Sequence, residues 1–167
     1  LTFLPESRRP LAAPVATLSL ALGFVISAAA LSGCLDLHGV PEVRNKVWFE
    51  FGGTALRLGY VLDPLSAIML VMVTFVGSWI FMFSAGYMAE DPHLVRFYAF
   101  LCLFAAAMLG VVLSNSLLLV FICWEIMGLA SYLLIGFWAH KPAAAAAAKK
   151  AFITTRIGDL GFLIGML

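Results

Sequence analysis

The chain has 167 residues, of which 63% are hydrophobic and 11% charged, and its formal net charge is +1. Soluble proteins carry roughly 45–50% apolar and about 25% charged residues, so a mean hydropathy of +1.06 excludes a soluble globular domain and indicates residence in lipid. With no basic cluster interleaved with aromatic residues, the near-neutral charge also argues against nucleic-acid binding.

Five segments meet or approach the roughly 20 apolar residues that a membrane-crossing helix needs. They are residues 11–35, 64–88, 94–113, 117–138 and 147–167. The predicted fold class is therefore an all-α membrane protein, a polytopic transmembrane helix bundle of about five spans forming part of one domain over residues 1–167. Because the sequence begins with Leu1 and stops inside an apolar run, we expect it to be a piece of a longer protein.

The long polar connection between the first two spans predicts a β-hairpin. Two short runs rich in aromatic and β-branched residues flank Gly52 and Gly53. A glycine pair between such runs is typical of a tight hairpin turn. We therefore expect a hairpin near residues 43–62, outside the membrane.

The basic residues predict the orientation. If five spans alternate in direction, one side of the membrane receives six lysines and arginines and the other receives three, leaving out Arg156. The six are Arg8, Arg9, Arg96, Lys141, Lys149 and Lys150, and the three are Arg44, Lys46 and Arg57. Cytoplasmic connections carry the excess of basic residues, so the hairpin should lie on the opposite side. Residues 140–150, with their six alanines, are interpreted as a helix-prone basic connection that can lie along the membrane surface.

Two local patterns predict packing. Asp63 directly precedes Pro64 at the start of the second span, which is typical of a helix N-cap followed by proline at the first helical position. Small residues spaced four apart, Ala106 with Gly110 and Gly161 with Gly165, predict helices that approach one another closely.

Glu125 is the charged residue within the fourth predicted span. A charge at the centre of a spanning helix costs about 2.5–3.5 kcal/mol on insertion scales. In general, burial raises the pKa of a carboxyl group and a nearby cation lowers it, so a carboxyl group under both influences can load and release a proton near neutral pH. We therefore predict that Glu125 is a proton or ion relay site. The alternative is a structural ion pair or an interhelical hydrogen bond.

Three further charged residues join Glu125 as candidates. Arg156 and Asp159 are three residues apart, so they share a face of the fifth predicted helix. They either neutralise each other to ease insertion or form a titratable group that modulates Glu125. Lys150 lies near the start of that span and either extends its amine to the membrane surface or feeds protons to the relay.

No cofactor is predicted for this chain. Cys34, Cys102 and Cys123 are scattered and are interpreted as small packing residues. Metal-ligand spacing, a glycine-rich phosphate loop and a hydrolase triad are all lacking, so we expect no redox chemistry in this segment.

Four motifs in the second part of the chain carry a resemblance to a known family. They are Asp63-Pro-Leu-Ser, Phe97-Tyr-Ala-Phe, Trp-Glu-Ile-Met-Gly-Leu-Ala-Ser-Tyr-Leu-Leu-Ile-Gly-Phe-Trp over residues 124–138, and Lys-Ala-Phe-Ile-Thr-Thr-Arg-Ile-Gly-Asp over residues 150–159. With these motifs the chain, from about Val47 onward, resembles the large antiporter-like subunit of respiratory complex I, the NADH–quinone oxidoreductase. This family includes bacterial subunit L and its mitochondrial and photosynthetic counterparts. The first 46 residues fit it only by hydropathy.

The resemblance implies a function and an assembly. It assigns Glu125 to a proton channel, paired with a lysine on a later helix, with Asp159 and Arg156 as modulators. The spans would be the second to sixth helices of the family, and the hairpin would link neighbouring subunits. The implied partners are other membrane-arm subunits, the lipid bilayer and protons, in a bacterial inner membrane or an equivalent energy-transducing membrane. NADH, FMN, iron–sulfur clusters and quinone would serve the complex as a whole.

Several alternatives stay open at the level of sequence. Sodium/proton antiporters, membrane-bound hydrogenases and bicarbonate-uptake complexes use similar subunits. A scaffold without transport activity, in which the charged residues only lock helices together, belongs to a different functional class. A carrier that binds substrate is disfavoured because the spans show no glycine or proline break around a site.

Overall fold

The computed structural model describes residues 11–36, 41–51 and 54–166, which form five helices and one two-stranded sheet. In chain order they are α1 Ala12–Asp36, β1 Glu42–Phe51, β2 Thr54–Leu62, α2 Pro64–Tyr87, α3 Leu94–Leu113, α4 Leu117–Ile135 and α5 Pro142–Met166. Within these ranges, α1, α2, α3 and α4 are each long and apolar enough to cross a membrane. The predicted helical membrane fold with a β-hairpin is confirmed.

The fifth helix differs from its prediction in length and polarity. It begins at Pro142, five residues before the predicted Ala147, and is continuous over 25 residues. The alanine run therefore forms the first turns of α5 and is not a separate connection, because proline suits the first helical turn and alanine extends it. Four charged residues, Lys149, Lys150, Arg156 and Asp159, make α5 less apolar than the four other helices. Its role as a fifth span stays a prediction.

The fourth helix ends three residues before the predicted Trp138. Gly136 is its C-cap, and the Gly136 amide donates to the carbonyl of Tyr132 at 3.0 Å. The Phe137 amide then donates to the Leu134 carbonyl at 3.2 Å, a tightened turn that satisfies one of the last carbonyl groups of the helix.

The hairpin pairs β1 with β2 in antiparallel register, from Glu42 opposite Leu62 to Phe51 opposite Thr54. A register irregularity between Val47 and Phe49 leaves Trp48 as an extra residue on β1, which is the arrangement of a β-bulge. The predicted glycine turn lies outside the described residues.

The base of the hairpin is attached to the turn between α3 and α4. Tyr60 of β2 forms a β-bridge with Ser114, and the Asn115 side chain hydrogen-bonds to the Asn45 side chain. Gly59 lies between these groups, because a Cβ placed there would overlap the Arg44 carbonyl oxygen and lie 2.9 Å from the Asn115 amide nitrogen. The missing side chain at residue 59 thus allows the contact.

Packing among the first three helices is closest at one end of the bundle. Tyr98 of α3 is completely buried, and its hydroxyl donates to the Phe81 carbonyl of α2 at 2.7 Å. Ala12, Ala16 and Leu20 of α1 belong to the same core cluster. Because lipid is as apolar as these side chains, close packing and this interhelical hydrogen bond supply much of the attraction between the helices.

A glycine predicted to allow close approach does so between α3 and α4. A Cβ at Gly110 would lie 2.6 Å from the Sγ atom of Cys123. Cys123 is therefore a packing residue in this structure, as its apolar surroundings in the sequence indicate.

The N-terminus of α2 carries a reciprocal cap. The Ser66 amide donates to the Asp63 carboxylate at 2.7 Å, and the Asp63 amide donates to the Ser66 hydroxyl at 2.9 Å. The predicted N-cap at Asp63 is confirmed. The hydrogen bonds from the backbone and then the side chain of Ser66 hold the pKa of the Asp63 carboxyl group below its ordinary value.

We expect Asp63→Ala to lower the free energy of unfolding by about 1 kcal/mol, the usual cost of losing an N-cap, and Asp63→Asn to cost less. The pKa of Asp63 is lower in the folded than in the unfolded protein. The ionised carboxylate therefore stabilises the fold at pH values above the unfolded pKa, and this stabilisation is lost as the pH falls through the folded pKa. Thermal unfolding in detergent at neutral and acidic pH measures both effects. A larger deficit for Asp63→Ala at acidic than at neutral pH would contradict this sign.

We expect Gly59→Ala to disturb the β1–β2 pairing, because the added Cβ would overlap the Arg44 backbone carbonyl, and with it the contact to the α3–α4 turn, at the roughly 1–3 kcal/mol that overpacking costs. Hydrogen exchange should then accelerate across residues 42–62. The matched control is Gly86→Ala in α2, where an added Cβ has no other atom within 4 Å. Equal protection of the hairpin in both variants would show that Gly59 is not needed for this contact.

Candidate functional site

Helices α4 and α5 pack side by side and run in opposite directions. Ring pairs fix the alignment, with centroids 5.7 Å apart for Phe121 and Phe162 and 5.1 Å apart for Tyr132 and Phe152. As residue numbers rise along α4 they fall along α5, which is the antiparallel arrangement expected for consecutive helices. Between the two ring pairs the alignment brings the middle of α4, where Glu125 lies, opposite Arg156.

Arg156 joins the two helices through Glu125. Its Nη1 atom forms an ion pair with Oε2 of the Glu125 carboxylate, and its Nη2 atom donates to the Glu125 backbone carbonyl at 3.3 Å. The guanidinium carbon lies 4.6 Å from the centre of the Phe152 ring, within range of a cation–π contact. One side chain of α5 therefore contacts both the side chain and the backbone of Glu125.

The same guanidinium group lies near a second carboxylate. The Nη1 atom of Arg156 is 3.9 Å from Oδ2 of Asp159, three residues further along α5. The predicted pairing of these two residues is present, but Glu125 is the closer partner. Arg156 therefore lies between two carboxylates, and the group carries a net charge of −1 when both are ionised.

Asp159 is held by a residue that the sequence reasoning did not single out as part of the site. The indole Nε1 of Trp124 donates to Oδ1 of Asp159 at 2.9 Å, and the Asp159 side chain is only 8% exposed. The other carboxylate oxygen of Asp159 has no hydrogen-bond donor among the described residues. The available signal was the position of Trp124 beside Glu125, since an indole N–H in an apolar span needs an acceptor.

The structure brings together three of the four predicted site residues and leaves Lys150 apart. Lys150 is exposed and belongs to no ion pair found in the described ranges. It precedes Arg156 by six residues, which is about 240° around a helix of 3.6 residues per turn. Its side chain therefore points away from the Glu125–Arg156–Asp159 cluster.

An open-sided cavity of about 540 Å³ adjoins the cluster. Its walls come from α3, α4 and α5 and include Val111, Val120, Trp124 and Phe162, with the Asp159 carboxylate at its edge. Apart from Asp159 and Thr155 the lining is apolar, so the cavity offers few hydrogen-bond partners besides the Asp159 carboxylate.

The donor set does not suit a metal ion or an iron–sulfur cluster. Among residues 11–36, 41–51 and 54–166, no three histidine, cysteine or acidic side chains lie together in a group that could bind a metal. An iron–sulfur cluster needs four grouped thiolates, whereas Cys34, Cys102 and Cys123 lie on three different helices.

Two family models match consecutive parts of this arrangement. Residues 48–98 match the N-terminus of chain 5 of NADH–ubiquinone oxidoreductase (complex I), and residues 114–167 match the transmembrane domain shared by NADH:quinone oxidoreductase and the Mrp antiporter. The second match contains the whole Glu125–Arg156–Asp159 cluster. The chain belongs to the antiporter-like subunits of complex I and Mrp antiporters. It is accordingly an integral membrane protein.

Individual relatives agree with this assignment. The NAD(P)H-quinone oxidoreductase chain 5 of a Synechocystis strain is 54% identical over 152 residues, which is 86% of this chain and 22% of that protein. The chloroplast subunit 5 of Anthoceros angustus is 44% identical over 97% of this chain and 22% of its own length. This antiporter-like chain therefore spans about a fifth of the curated relatives it matches.

A solved structure shares the fold. The Mrp complex from Dietzia sp. contains a chain that is 28% identical and superposes with a TM-score of 0.67 over 95% of this chain and 17% of its own length. The packing of helices and hairpin described above is thus the arrangement of an antiporter-like subunit.

We expect Trp124→Phe to destabilise the protein by about 1.5–3 kcal/mol, because the Asp159 carboxylate loses a hydrogen bond while the aromatic ring is kept. The matched control is Trp79→Phe in α2, a tryptophan that is 56% exposed and should change stability by under about 0.5 kcal/mol. Thermal unfolding in detergent compares the two. If both variants lower the unfolding temperature equally, the hydrogen bond between the Trp124 indole and the Asp159 carboxylate contributes nothing measurable to stability.

Proposed function

We propose that the chain forms part of a proton-translocating membrane-arm subunit in an NAD(P)H–quinone oxidoreductase of the complex I type. In this proposal Glu125, Arg156 and Asp159 lie on the proton path. The observation that carries it is the position of one guanidinium group between two carboxylates, halfway along neighbouring helices. The names of the relatives that share this segment support the choice of complex.

The mechanism follows from the competition of two carboxylates for one cation. When Arg156 pairs with Glu125, the pairing stabilises the ionised Glu125 carboxylate. When the guanidinium moves toward Asp159, Glu125 loses its counter-charge in a medium of low dielectric constant, and its protonated form is favoured. Alternation between the two positions makes Glu125 take up and release a proton.

The surroundings of Asp159 suit the second position of the cation. Trp124 occupies only one carboxylate oxygen, and the other is 3.9 Å from the guanidinium. A short rotation of the arginine side chain is enough to close this distance.

The assembly and the electron-transfer groups belong to the proposal as well. The partners are other membrane-arm subunits and the lipid bilayer, in a bacterial inner membrane or an equivalent energy-transducing membrane. This chain itself would hold no cofactor. NADH, FMN, iron–sulfur clusters and quinone would act in other subunits, and the role of this chain would be confined to moving the proton. Lys150, which lies apart from the cluster, would serve at the membrane surface and not as the partner of Glu125.

A sodium/proton antiporter subunit is the second candidate. It is favoured by the fold shared with the Mrp complex at a TM-score of 0.67. The same cluster would then couple proton movement to a counter-ion and not to quinone reduction. Proton transport that depends on sodium and not on a quinone substrate would select this candidate.

We expect Glu125→Gln to lower proton pumping by the assembled complex on the order of 10²-fold, because the glutamine amide cannot take up and release a proton as a carboxyl group does. Pumping in sealed vesicles is measured beside quinone reduction and an assembly check. Glu90→Gln is the matched control, since Glu90 is an exposed carboxylate in the α2–α3 connection. Normal pumping by an assembled Glu125→Gln complex would overturn the proposal.

A double variant separates relay from scaffold. Glu125→Gln alone leaves the partly exposed Arg156 without its nearest partner, and an uncompensated charge within a membrane is costly. Glu125→Gln with Arg156→Gln removes both charges and should assemble at least as well as the single variant. A relay predicts that this neutral pair assembles without pumping. A scaffold predicts that pumping returns with assembly.

A further inference from the structure

A second polar cavity lies at the end of the bundle opposite the hairpin. Its volume is about 460 Å³, and it is formed by the α2–α3 connection, the first turn of α3 and the α4–α5 connection. The lining residues are 91–93, Arg96 and 137–141. The proton path proposed above does not use this cavity.

Basic groups dominate its lining. Arg96 and Lys141 are cations, and His93 and His140 line the same space. Asp91 is the one carboxylate of the lining, and it accepts hydrogen bonds from the Trp138 indole at 3.0 Å and from the His93 amide at 2.7 Å. Two cations against one carboxylate leave the cavity positively charged even with both histidines neutral.

The two connections that form the cavity are held in place. The Phe97 and Phe137 rings pack edge to face with centroids 5.4 Å apart, which joins α3 to the end of α4. The Lys141 ammonium lies 4.8 Å from the centre of the Trp138 ring, and the Lys141 amide donates to the Trp138 carbonyl at 2.9 Å. The backbone segments that bear Arg96 and Lys141 are therefore fixed by packing and hydrogen bonds.

The cavity lies at the ends of two membrane-spanning helices. It lies where α3 begins at Leu94 and where α4 ends at Ile135, the ends of two helices long enough to cross the membrane. Tryptophan in such a position is typical of the membrane–water interface. Basic pockets between helix ends at this level are suited to anionic headgroups.

We propose that this cavity binds the phosphate headgroup of an anionic phospholipid. Arg96 and Lys141 contact the phosphate oxygens, the two imidazoles supply further hydrogen bonds, and Trp138 lies beside the glycerol region. Asp91 holds Trp138 in position through the indole N–H. The lipid thereby joins the α2–α3 and α4–α5 connections at the end of the bundle that lacks the hairpin.

The test uses the complete complex reconstituted in phosphatidylcholine vesicles with a small fraction of phosphatidylglycerol that carries a photoreactive diazirine near its headgroup. After irradiation, mass spectrometry should locate the label on peptides containing residues 91–96 and 137–141. Each basic residue near an anionic lipid contributes on the order of fivefold in affinity, so Arg96→Gln with Lys141→Gln should weaken labelling about 25-fold.

Controls distinguish the sources of the phosphate and the effect of charge. Lys46→Gln with Arg57→Gln removes two cations from the hairpin and should leave labelling unchanged. Arg96→Lys with Lys141→Arg keeps both charges and should retain most of the labelling. This variant shows whether the glutamine pair loses labelling because binding is lost or because folding is lost. Unchanged labelling in the glutamine pair, equal labelling by a matching phosphatidylcholine probe, or displacement of the lipid by excess inorganic phosphate would each overturn the proposal.

Discussion

The ion pair between Glu125 and Arg156 is the constraint around which the α4–α5 region is arranged. A lone charge within the membrane is expensive, and removing one partner of this partly exposed pair leaves the other uncompensated. α5 must therefore pack against α4 in the one alignment that places Arg156 beside Glu125. The aromatic pairs on either side of the charges fit the same alignment.

In the proposed relay, the third charge would turn a structural pair into a responsive one. With Glu125 alone, Arg156 would be neutralised and held in one position. Asp159 supplies a second carboxylate within 4 Å on the same helix, and Trp124 fixes that carboxylate through an indole hydrogen bond. Because two anions compete for one cation, a small change in nearby charge or hydration can shift the pairing, which is the property a proton relay requires.

The two ends of the bundle are held by different means. At one end the hairpin contacts the α3–α4 turn through Asn45 and Asn115, and Gly59 leaves room for this contact. At the other end Trp138 and Asp91 connect the α2–α3 and α4–α5 connections across a basic cavity. Polar interactions at both ends position the middle of α4, where apolar packing by itself specifies alignment only weakly.

The sequence by itself determined the helical membrane fold, the hairpin and the candidate carboxylate, because long apolar runs, a glycine turn between β-forming residues and one charge in a span are all local patterns. The Arg156–Asp159 proximity was also local, since residues three apart share a helix face. Only the tertiary structure decided that Arg156 pairs first with Glu125, that Trp124 holds Asp159 and that Lys150 points elsewhere. Those facts depend on the alignment of α4 against α5, which is a property of two packed helices and has no signature in either one alone.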